Sequence, residues 1–264
     1  TMGVSEIVSH QGTDGLAKIF ISGGWPELFV SPELSLTHYL NDYVERFIEK
    51  DIVLSAGIQK SVSFATALGL LAARTGQLLN VSEVAKESGV ESTTLNEWLS
   101  VLERNHVLIR LQPFHSNRTK RLIKSPKLYF LDVGLAARLQ GWSSVDPLLK
   151  SPLIGPLFET LVFGEIIRGK VHLLKSWFIF HFRTKEKEEV DFLVGNEQGE
   201  FVALEAKFSS HVASISLPQS LQKIVPKIKA AAVVTFLGRR HAISRECEQV
   251  PITELIAYLV EKLG

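Results

Sequence analysis

The chain has 264 residues, 45% apolar and 22% charged, with a net charge of +1. This balance is typical of a soluble globular protein and excludes binding to a polyanion through overall charge, so any nucleic-acid surface must be a local patch. The single cysteine, Cys247, excludes an internal disulfide. Because there is no run of about 18 apolar residues and no signal-peptide pattern, we expect a cytoplasmic protein without a membrane partner.

Residues 1–54 predict an N-terminal remnant followed by a helical connector. The first 30 residues are rich in glycine and weakly patterned, so they cannot build a core alone. From Leu34 to Leu54, apolar residues recur at spacings of three and four, which indicates a helix.

Residues 55–149 predict a winged helix with a connector. The expected elements are helices over 62–74, 83–88 and 93–105 and strands over 107–111 and near Leu122. Ser82 and Ser92 are expected to cap the second and third helices, and Gly89 suits the left-handed position after a helix. Helix, turn, helix, strand, basic tip and strand is the order of a winged helix.

The tip between the two strands is basic. From His115 to Lys127 it contains no acid, and it carries Arg118, Lys120, Arg121 and Lys124. We expect these four side chains to contact DNA phosphates. The candidate recognition helix, in contrast, has Glu91, Glu97 and Glu103 at or beside it, and acidic side chains rarely read bases. The alternative is a module that packs against a partner domain.

Residues 150–264 predict an α/β sandwich with three or four strands. The expected helices lie over 156–168, 220–227 and 253–262. Strands are expected over 177–183, around Asp191, around Glu205 and over 231–236, with a turn near Gln198.

Charged residues stand within two of these apolar strands. If the turn centres near Gln198, Asp191 lies across from Glu205, and Lys207 shares the face of Glu205. Two carboxylates about 5 Å apart repel unless a positive charge lies between them. Oxygen ligands of this kind suit Mg²⁺ or Mn²⁺. The alternative is a structural ion cluster that Lys207 neutralises.

Glu159 adds a third carboxylate. At helical spacing its neighbours are Val162, Phe163 and Ile166, so it points with the apolar face toward the sheet. Because an unpaired buried carboxylate is costly, a metal shared with Asp191 and Glu205 would explain its position.

The set Glu159, Asp191 and Glu205-Ala206-Lys207 resembles the PD-(D/E)xK nuclease superfamily. The resemblance implies a restriction-endonuclease-like α/β core in which Glu159, Asp191 and Glu205 hold Mg²⁺. It also implies that Lys207 orients the attacking water and stabilises phosphate charge. Val190 stands where the superfamily motif begins with proline.

Longer stretches resemble the DUF4143 region, the C-terminal half of a prokaryotic AAA+-type ATPase family, from about residue 20 to the end. They are Gly23-Gly24-Trp25-Pro26-Glu27-Leu28, Ala73 to Asn80, Lys124 to Leu135 and Glu189-Val190-Asp191-Phe192. In that family an ATPase domain precedes this region, whereas no GxxxxGK[ST] motif occurs here. Either the chain is a fragment or the ATPase half is lost; we expect a fragment, with ATP bound only by a missing N-terminal half.

The leading expectation is Mg²⁺-dependent hydrolysis of DNA by an ATPase-coupled protein, with Asp191, Glu205 and Lys207 as catalytic residues. The main alternative is a non-catalytic regulatory or protein-interaction module that retains the nuclease scaffold. A third is a DNA binder similar to a transcription regulator, without cleavage.

Overall fold

The computed structural model describes residues 1–31, 33–55, 57–114, 125–184, 188–212, 217–225 and 227–264. Within these ranges the chain is a mixed α/β protein with one three-stranded and one six-stranded sheet. No helix in these ranges is both long enough and apolar enough to cross a membrane.

Helices dominate the first two thirds of the chain. Those of the described residues are α1 (Val4–Gln11), α2 (Ile19–Ser22), α3 (Glu27–Val30), α4 (Leu36–Asp42), α5 (Val53–Ser55), α6 (Ser61–Ala72), α7 (Val81–Ser88), α8 (Ser92–Arg104), α9 (Val133–Leu139), α10 (Val145–Leu149), α11 (Ile154–His172), α12 (Gln219–Ile224) and α13 (Leu255–Leu263). Thr13–Lys18 and Ile252–Glu254 form 3₁₀ turns, and Tyr43–Ile52 is a π-helix that continues α4.

The strands of the described residues form the two sheets. They are β1 (Gln77–Leu78), β2 (Leu108–Leu111), β3 (Lys127–Phe130), β4 (Phe178–Arg183), β5 (Glu189–Gly195), β6 (Phe201–Lys207), β7 (Ile228–Thr235), β8 (His241–Ala242) and β9 (Cys247–Pro251). The small sheet has the order β1-β3-β2 and is antiparallel.

The large sheet has the order β4-β5-β6-β7-β9-β8. The pairs β4–β5, β5–β6 and β8–β9 are antiparallel, and β6–β7 and β7–β9 are parallel. The expectation of three or four strands was therefore wrong by two strands, because β8 and β9 were not predicted. Strand β9 lacks an apolar run: it includes Glu248 and the buried Gln249, whose side-chain oxygen accepts from the Val212 N–H.

Helix α11 is the central helix of the fold. Its buried side chains point in all directions, as expected of a helix enclosed by other elements. It packs against β3, β6, α9 and α13. This position directs one edge of α11 into the gap between the two sheets.

The predicted helix-turn-helix segment is present, but its caps differ from the prediction. Asn80, not Ser82, caps α7 by accepting from the Glu83 N–H at 3.2 Å. Helix α8 begins at Ser92 after Glu91, which makes no side-chain cap. Gly89 has the expected left-handed conformation, with φ 69°. The predicted strand near Leu122 lies outside the described residues.

The N-terminal segment joins the main core. Helices α1 and α2 bury Val4, Ile7, Ile19 and Phe20 almost completely. The Phe20 ring lies 5.3 Å from that of Phe236, at the end of the large sheet. One continuous cluster of buried apolar side chains includes all three predicted segments, 1–54, 55–149 and 150–264, whose boundaries stay a prediction.

The stretch that begins at Gly23 and Gly24 contacts the start of α9 at Asp132. Gly23 has φ 63°, and a Cβ there would lie 2.1 Å from Oδ1 of Asp132. Gly24 N–H donates to Oδ2 of Asp132 at 2.9 Å, and Oδ1 accepts from the Leu135 N–H at the start of α9. The junction explains the glycine pair structurally, as the close approach of a chain turn to a helix cap.

Candidate functional site

A cleft of about 660 Å³ opens between the two sheets. One wall comes from β1, β3 and the turn at Gly76, and the other from the start of α11 and from strands β4 to β6. Its charged lining residues are Lys127, Glu159, Arg183, Glu189, Asp191, Glu205 and Lys207. The four residues predicted from the C-terminal half, Glu159, Asp191, Glu205 and Lys207, all line this cleft.

The β5–β6 register brings the two strand carboxylates together. Phe192 pairs with Leu204 and Leu193 with Ala203, so the next position in line places Asp191 opposite Glu205. A hydrogen bond between the two strands holds Asp191 in place, since its Oδ2 accepts from the Ala206 N–H at 2.9 Å. The antiparallel pairing of β5 with β6 agrees with the predicted hairpin, and the facing of Asp191 and Glu205 follows by extending its register one position.

Glu159 points into the cleft from α11, as its helical spacing predicts. Its side chain is 15% exposed. The Tyr129 hydroxyl donates to Oε1 of Glu159, and that tyrosine ring stacks on Phe163 of the same helix at 4.5 Å. A buried aromatic pair thus fixes the carboxyl group at the cleft floor.

Lys127 lies at the centre of the carboxylates, and the sequence analysis did not predict this role. Its side chain is 3% exposed. The Nζ atom lies 2.8 Å from Glu159 Oε1, 2.6 Å from Glu189 Oε1 and 3.1 Å from Asp191 Oδ1. The predicted alternative of an ion cluster neutralised by lysine fits this geometry, but the central lysine is Lys127 and not Lys207.

Lys207 occupies the rim instead. It is 52% exposed, and its Nζ lies 2.7 Å from Glu205 Oε1 on the same strand. Arg183, also near the rim, lies 3.2 Å from Glu189 Oε2. Three cationic side chains thus face four carboxyl groups, and the cleft is close to charge balance without any added ion.

The electrostatics make Lys127 a permanent cation. Burial alone lowers its pKa, but attraction to Glu159, Asp191 and Glu189 outweighs burial and raises that pKa above the ordinary lysine value. Glu189 responds in the opposite sense. Burial raises its pKa, but Lys127 and then Arg183 lower the pKa below its ordinary value.

Two other carboxyl groups hold their protons more tightly. Burial, followed by the Asp191 charge, raises the pKa of Glu159 to about 7 despite the opposing Lys127. Burial and Asp191 also raise the pKa of Glu205, against the hydrogen bond from Lys207. Glu159 therefore exchanges its proton near neutral pH.

His181, which the sequence places between two phenylalanines, is buried beside this cluster. Burial and then the Lys127 charge lower its pKa to about 4, so the ring is neutral at pH 7. Its backbone joins the two sheets: the Phe114 N–H donates to the His181 carbonyl at 2.7 Å. The His181 backbone thus takes part in the contact between the two parts of the chain.

A divalent cation does not fit the side chains as they stand. In the described ranges, no group of three or more His, Cys, Asp or Glu side chains is placed to hold a metal ion. The physical reason is Lys127, whose ammonium already contacts the inward oxygens of Glu159, Glu189 and Asp191. The Mg²⁺ or Mn²⁺ site therefore stays a prediction, and no chemical step is derived through it.

The predicted nucleic-acid residues Arg118, Lys120, Arg121 and Lys124 lie outside the described residues. The face of α8 is described, and it is occupied by internal contacts. Arg110 on β2 bonds to Glu103 Oε2 at 2.5 Å and to Asn96 Oδ1 at 3.3 Å. Arg110, a cation on the candidate recognition surface, is thus already paired with Glu103 of the same protein.

Comparison with protein families identifies both halves. Residues 13–146 match the model described as "Domain of unknown function (DUF8612)", which is just over half of the chain. The chain belongs to the DUF8612 family. Beyond the DUF8612 match, residues 154–255 match "Domain of unknown function (DUF4143)". The DUF4143 resemblance is thus confirmed for the half that holds Asp191, while the stretches quoted before residue 147 lie in the DUF8612 match.

The DUF8612 chain is also similar to two curated proteins. These are "Uncharacterized protein Mb2031c" of Mycobacterium bovis and "Uncharacterized protein Rv2008c" of Mycobacterium tuberculosis, each 28% identical over 188 residues. The matched residues cover 71% of this chain but 42% of each relative. The match therefore spans less than half the length of these relatives. No solved structure matches it.

Proposed function

We propose that this chain is a non-catalytic regulatory or protein-interaction module that retains a nuclease-like scaffold. The observation that carries the proposal is the Lys127 ammonium, which lies within 3.1 Å of three carboxylates in the cleft. A buried ion pair of this kind is complete without metal, and breaking it by removing one partner is costly. Three of the four carboxyl groups in the cleft thus already have a counter-charge within the protein, which favours a structural role for them.

The element order supports the PD-(D/E)xK-like part of the proposal. Helix α11 precedes three antiparallel strands, β4 to β6, and then α12 and the parallel strand β7 follow. The pattern of predicted elements over residues 150–264 has the same order. Further support is that Glu159 on the helix and Asp191, Glu205 and Lys207 on two adjacent strands line the same cleft.

A winged-helix-like first half is supported in a similar way. Helices α6, α7 and α8 lead into β2, and β2 pairs with β3 in the antiparallel small sheet. The partner we propose for this half is a protein domain, because its candidate recognition helix presents Glu97 and the neutralised Glu103–Arg110 pair. The ATPase half of a longer protein is the leading candidate, since the matched relatives are more than twice as long as the matched region.

Contact with DNA is a separate element of the proposal, and it rests on the basic sequence between β2 and β3. Arg118, Lys120, Arg121 and Lys124 give this segment a dense local positive charge. A gel shift with duplex DNA at several salt concentrations tests it. We expect weak, salt-sensitive binding that is abolished when Arg118→Ala and Arg121→Ala are combined. If the double variant binds DNA as well as wild type, the segment between β2 and β3 does not contact DNA.

Mg²⁺-dependent hydrolysis of DNA is the second candidate function. It is favoured by the presence of Glu159, Asp191, Glu205 and Lys207 in a single cleft. A plasmid-nicking assay separates it from the first candidate, with Mg²⁺ compared with EDTA. We expect no nicking by the wild-type chain. Nicking that requires Mg²⁺ and is lost in Glu205→Ala, but retained in the exposed-surface control Glu97→Ala, would establish hydrolysis and overturn the non-catalytic proposal.

A further inference from the structure

The three donors of the Lys127 ammonium are fully used. Each of its contacts, at 2.8, 2.6 and 3.1 Å, goes to a different carboxylate, those of Glu159, Glu189 and Asp191. A lysine ammonium has three N–H donors and no acceptor, so the arrangement saturates it. No other described cation approaches all three of these carboxylates.

Lys127 reaches the cluster from a different part of the chain than its partners. It lies on β3, where its backbone pairs with Leu111 on β2 and Leu78 on β1. Its partners lie on α11 and β5 of the DUF4143 half. Tyr129, two residues further along β3 and on the same face, donates to the same Glu159. Strand β3 thus delivers both a cation and a hydroxyl donor into the carboxylate cleft.

We propose that the Lys127 ammonium is the resident cation of this cleft and holds the cleft closed to divalent metal ions. The inference deepens the non-catalytic function proposed above and rests on it. Oxygen ligands that suit Mg²⁺ or Mn²⁺ are the same ones that an ammonium bonds. At 2.6–3.1 Å from the inward oxygens, Nζ leaves no space for a second cation among Glu159, Glu189 and Asp191.

The carboxylates of Glu159, Glu189 and Asp191 and the Lys127 ammonium compensate each other's charge. Removing the ammonium leaves buried carboxylates without a counter-charge, which is strongly unfavourable. A divalent cation supplied in solution restores that charge through the same oxygens. Metal binding by this cleft is therefore expected only when the Lys127 ammonium is absent.

The test measures Mn²⁺ binding to the full 264-residue chain by calorimetry and by the electron paramagnetic resonance signal of free Mn²⁺. Four proteins are compared: wild type, Lys127→Met, Lys127→Arg, and Lys127→Met combined with Asp191→Asn. We expect one Mn²⁺ per chain in Lys127→Met, bound at least about tenfold more tightly than by wild type or Lys127→Arg. The added Asp191→Asn change is expected to abolish that gain.

Other outcomes also decide for or against the proposal. Wild type that binds Mn²⁺ as tightly as Lys127→Met shows that Lys127 does not close the site. A folded Lys127→Met chain that binds no Mn²⁺ shows that the carboxylates are not a cation site. If Lys127→Met is unfolded without metal, as judged by circular dichroism, refolding on addition of Mn²⁺ supports the proposal and failure to refold overturns it. The nicking assay is independent of these results and tests the non-catalytic function by itself.

Discussion

Lys127 Nζ and Glu159 Oε1 lie 2.8 Å apart, although 32 residues separate them in the chain. The pair joins β3, in the segment that matches DUF8612, to α11, in the segment that matches DUF4143. The contact is buried and is shared with Asp191 and Glu189. The two family segments are therefore held together by charge at the floor of the cleft, in addition to apolar packing.

The first prediction concerns the stability that Lys127 contributes. Lys127→Met should lower the free energy of unfolding by about 3–5 kcal/mol, because it leaves three carboxylates without their shared cation. Urea unfolding followed by circular dichroism measures this. The exposed Lys86→Met is the matched control and should change stability by less than about 0.5 kcal/mol. Equal effects of the two changes would show that the cluster contributes nothing to stability.

The second prediction concerns the pH dependence caused by Glu159. Its pKa is about 7 in the folded protein and near the ordinary 4.5 when unfolded. The folded state therefore binds the proton more tightly, so this contribution to stability is complete below pH 4.5 and is lost as pH rises through 7. The loss is at most about 1.4 kcal/mol per pH unit within this window.

Glu159→Gln removes this titration. The difference in unfolding free energy between wild type and Glu159→Gln, measured by urea unfolding at each pH, should decline between pH 4.5 and 7. Taking the difference at each pH cancels the opposite trend from His181, whose lowered pKa makes stability rise with pH. Glu97→Gln, on the exposed face of α8, should show no such decline. A constant difference across the window for Glu159→Gln would contradict the assignment.

A third prediction concerns the hydroxyl of Tyr129. Its hydrogen bond to Glu159 favours the charged carboxylate and lowers that pKa. Tyr129→Phe should cost about 1–3 kcal/mol of stability and move the pH window of Glu159 upward. Tyr258→Phe, which loses a hydrogen bond to the backbone carbonyl of Ala231, should cost stability without moving the window. If Tyr129→Phe leaves the pH range of the Glu159 titration unchanged, this hydroxyl does not affect the pKa of Glu159.

A fourth prediction concerns the junction between Gly23 and Asp132. Gly23→Ala places a Cβ 2.1 Å from the Asp132 carboxylate and forces a left-handed backbone on alanine. The backbone strain alone costs about 1–2 kcal/mol, and the clash adds to it. Thermal unfolding should therefore show a clear drop in the midpoint. Gly12→Ala, also at positive φ but with open space around it, should show only the smaller backbone effect.

Much of the site could be predicted because its signals are local. The spacing of apolar residues around Glu159 indicates its direction on α11, and the turn near Gln198 places Asp191 opposite Glu205. Both inferences need only the geometry of one helix and one hairpin. In the structure all three carboxyl groups line one cleft, and the β5–β6 register, extended by one position, brings Asp191 opposite Glu205.

The central lysine could not be predicted in the same way. Lys127 closes a run of basic residues, so its sequence context indicates a phosphate contact. Its actual partners lie 32 to 64 residues away and are brought near by packing of β3 against α11. The sequence context of Lys127 thus suggests an exposed side chain, whereas tertiary packing buries it as the counter-ion of three carboxylates.

The N-terminal helices illustrate a second limit. Residues 1–30 have short helices broken by glycines, which weakens any periodic pattern. Their burial depends on surfaces supplied by distant elements, such as the contact of Phe20 with Phe208 and Phe236. Strand β9 was missed for a related reason, since its polar Gln249 is satisfied by loop partners and not by a recognisable strand pattern.

The most direct test of the account is a crystal of the wild-type chain soaked in MnCl₂, examined by anomalous scattering. The account predicts no manganese peak among Glu159, Glu189 and Asp191, with Lys127 Nζ still within hydrogen-bonding distance of all three carboxylates. A manganese peak bridging Glu159, Asp191 and Glu205, with the lysine displaced, would contradict it and would favour metal-dependent hydrolysis.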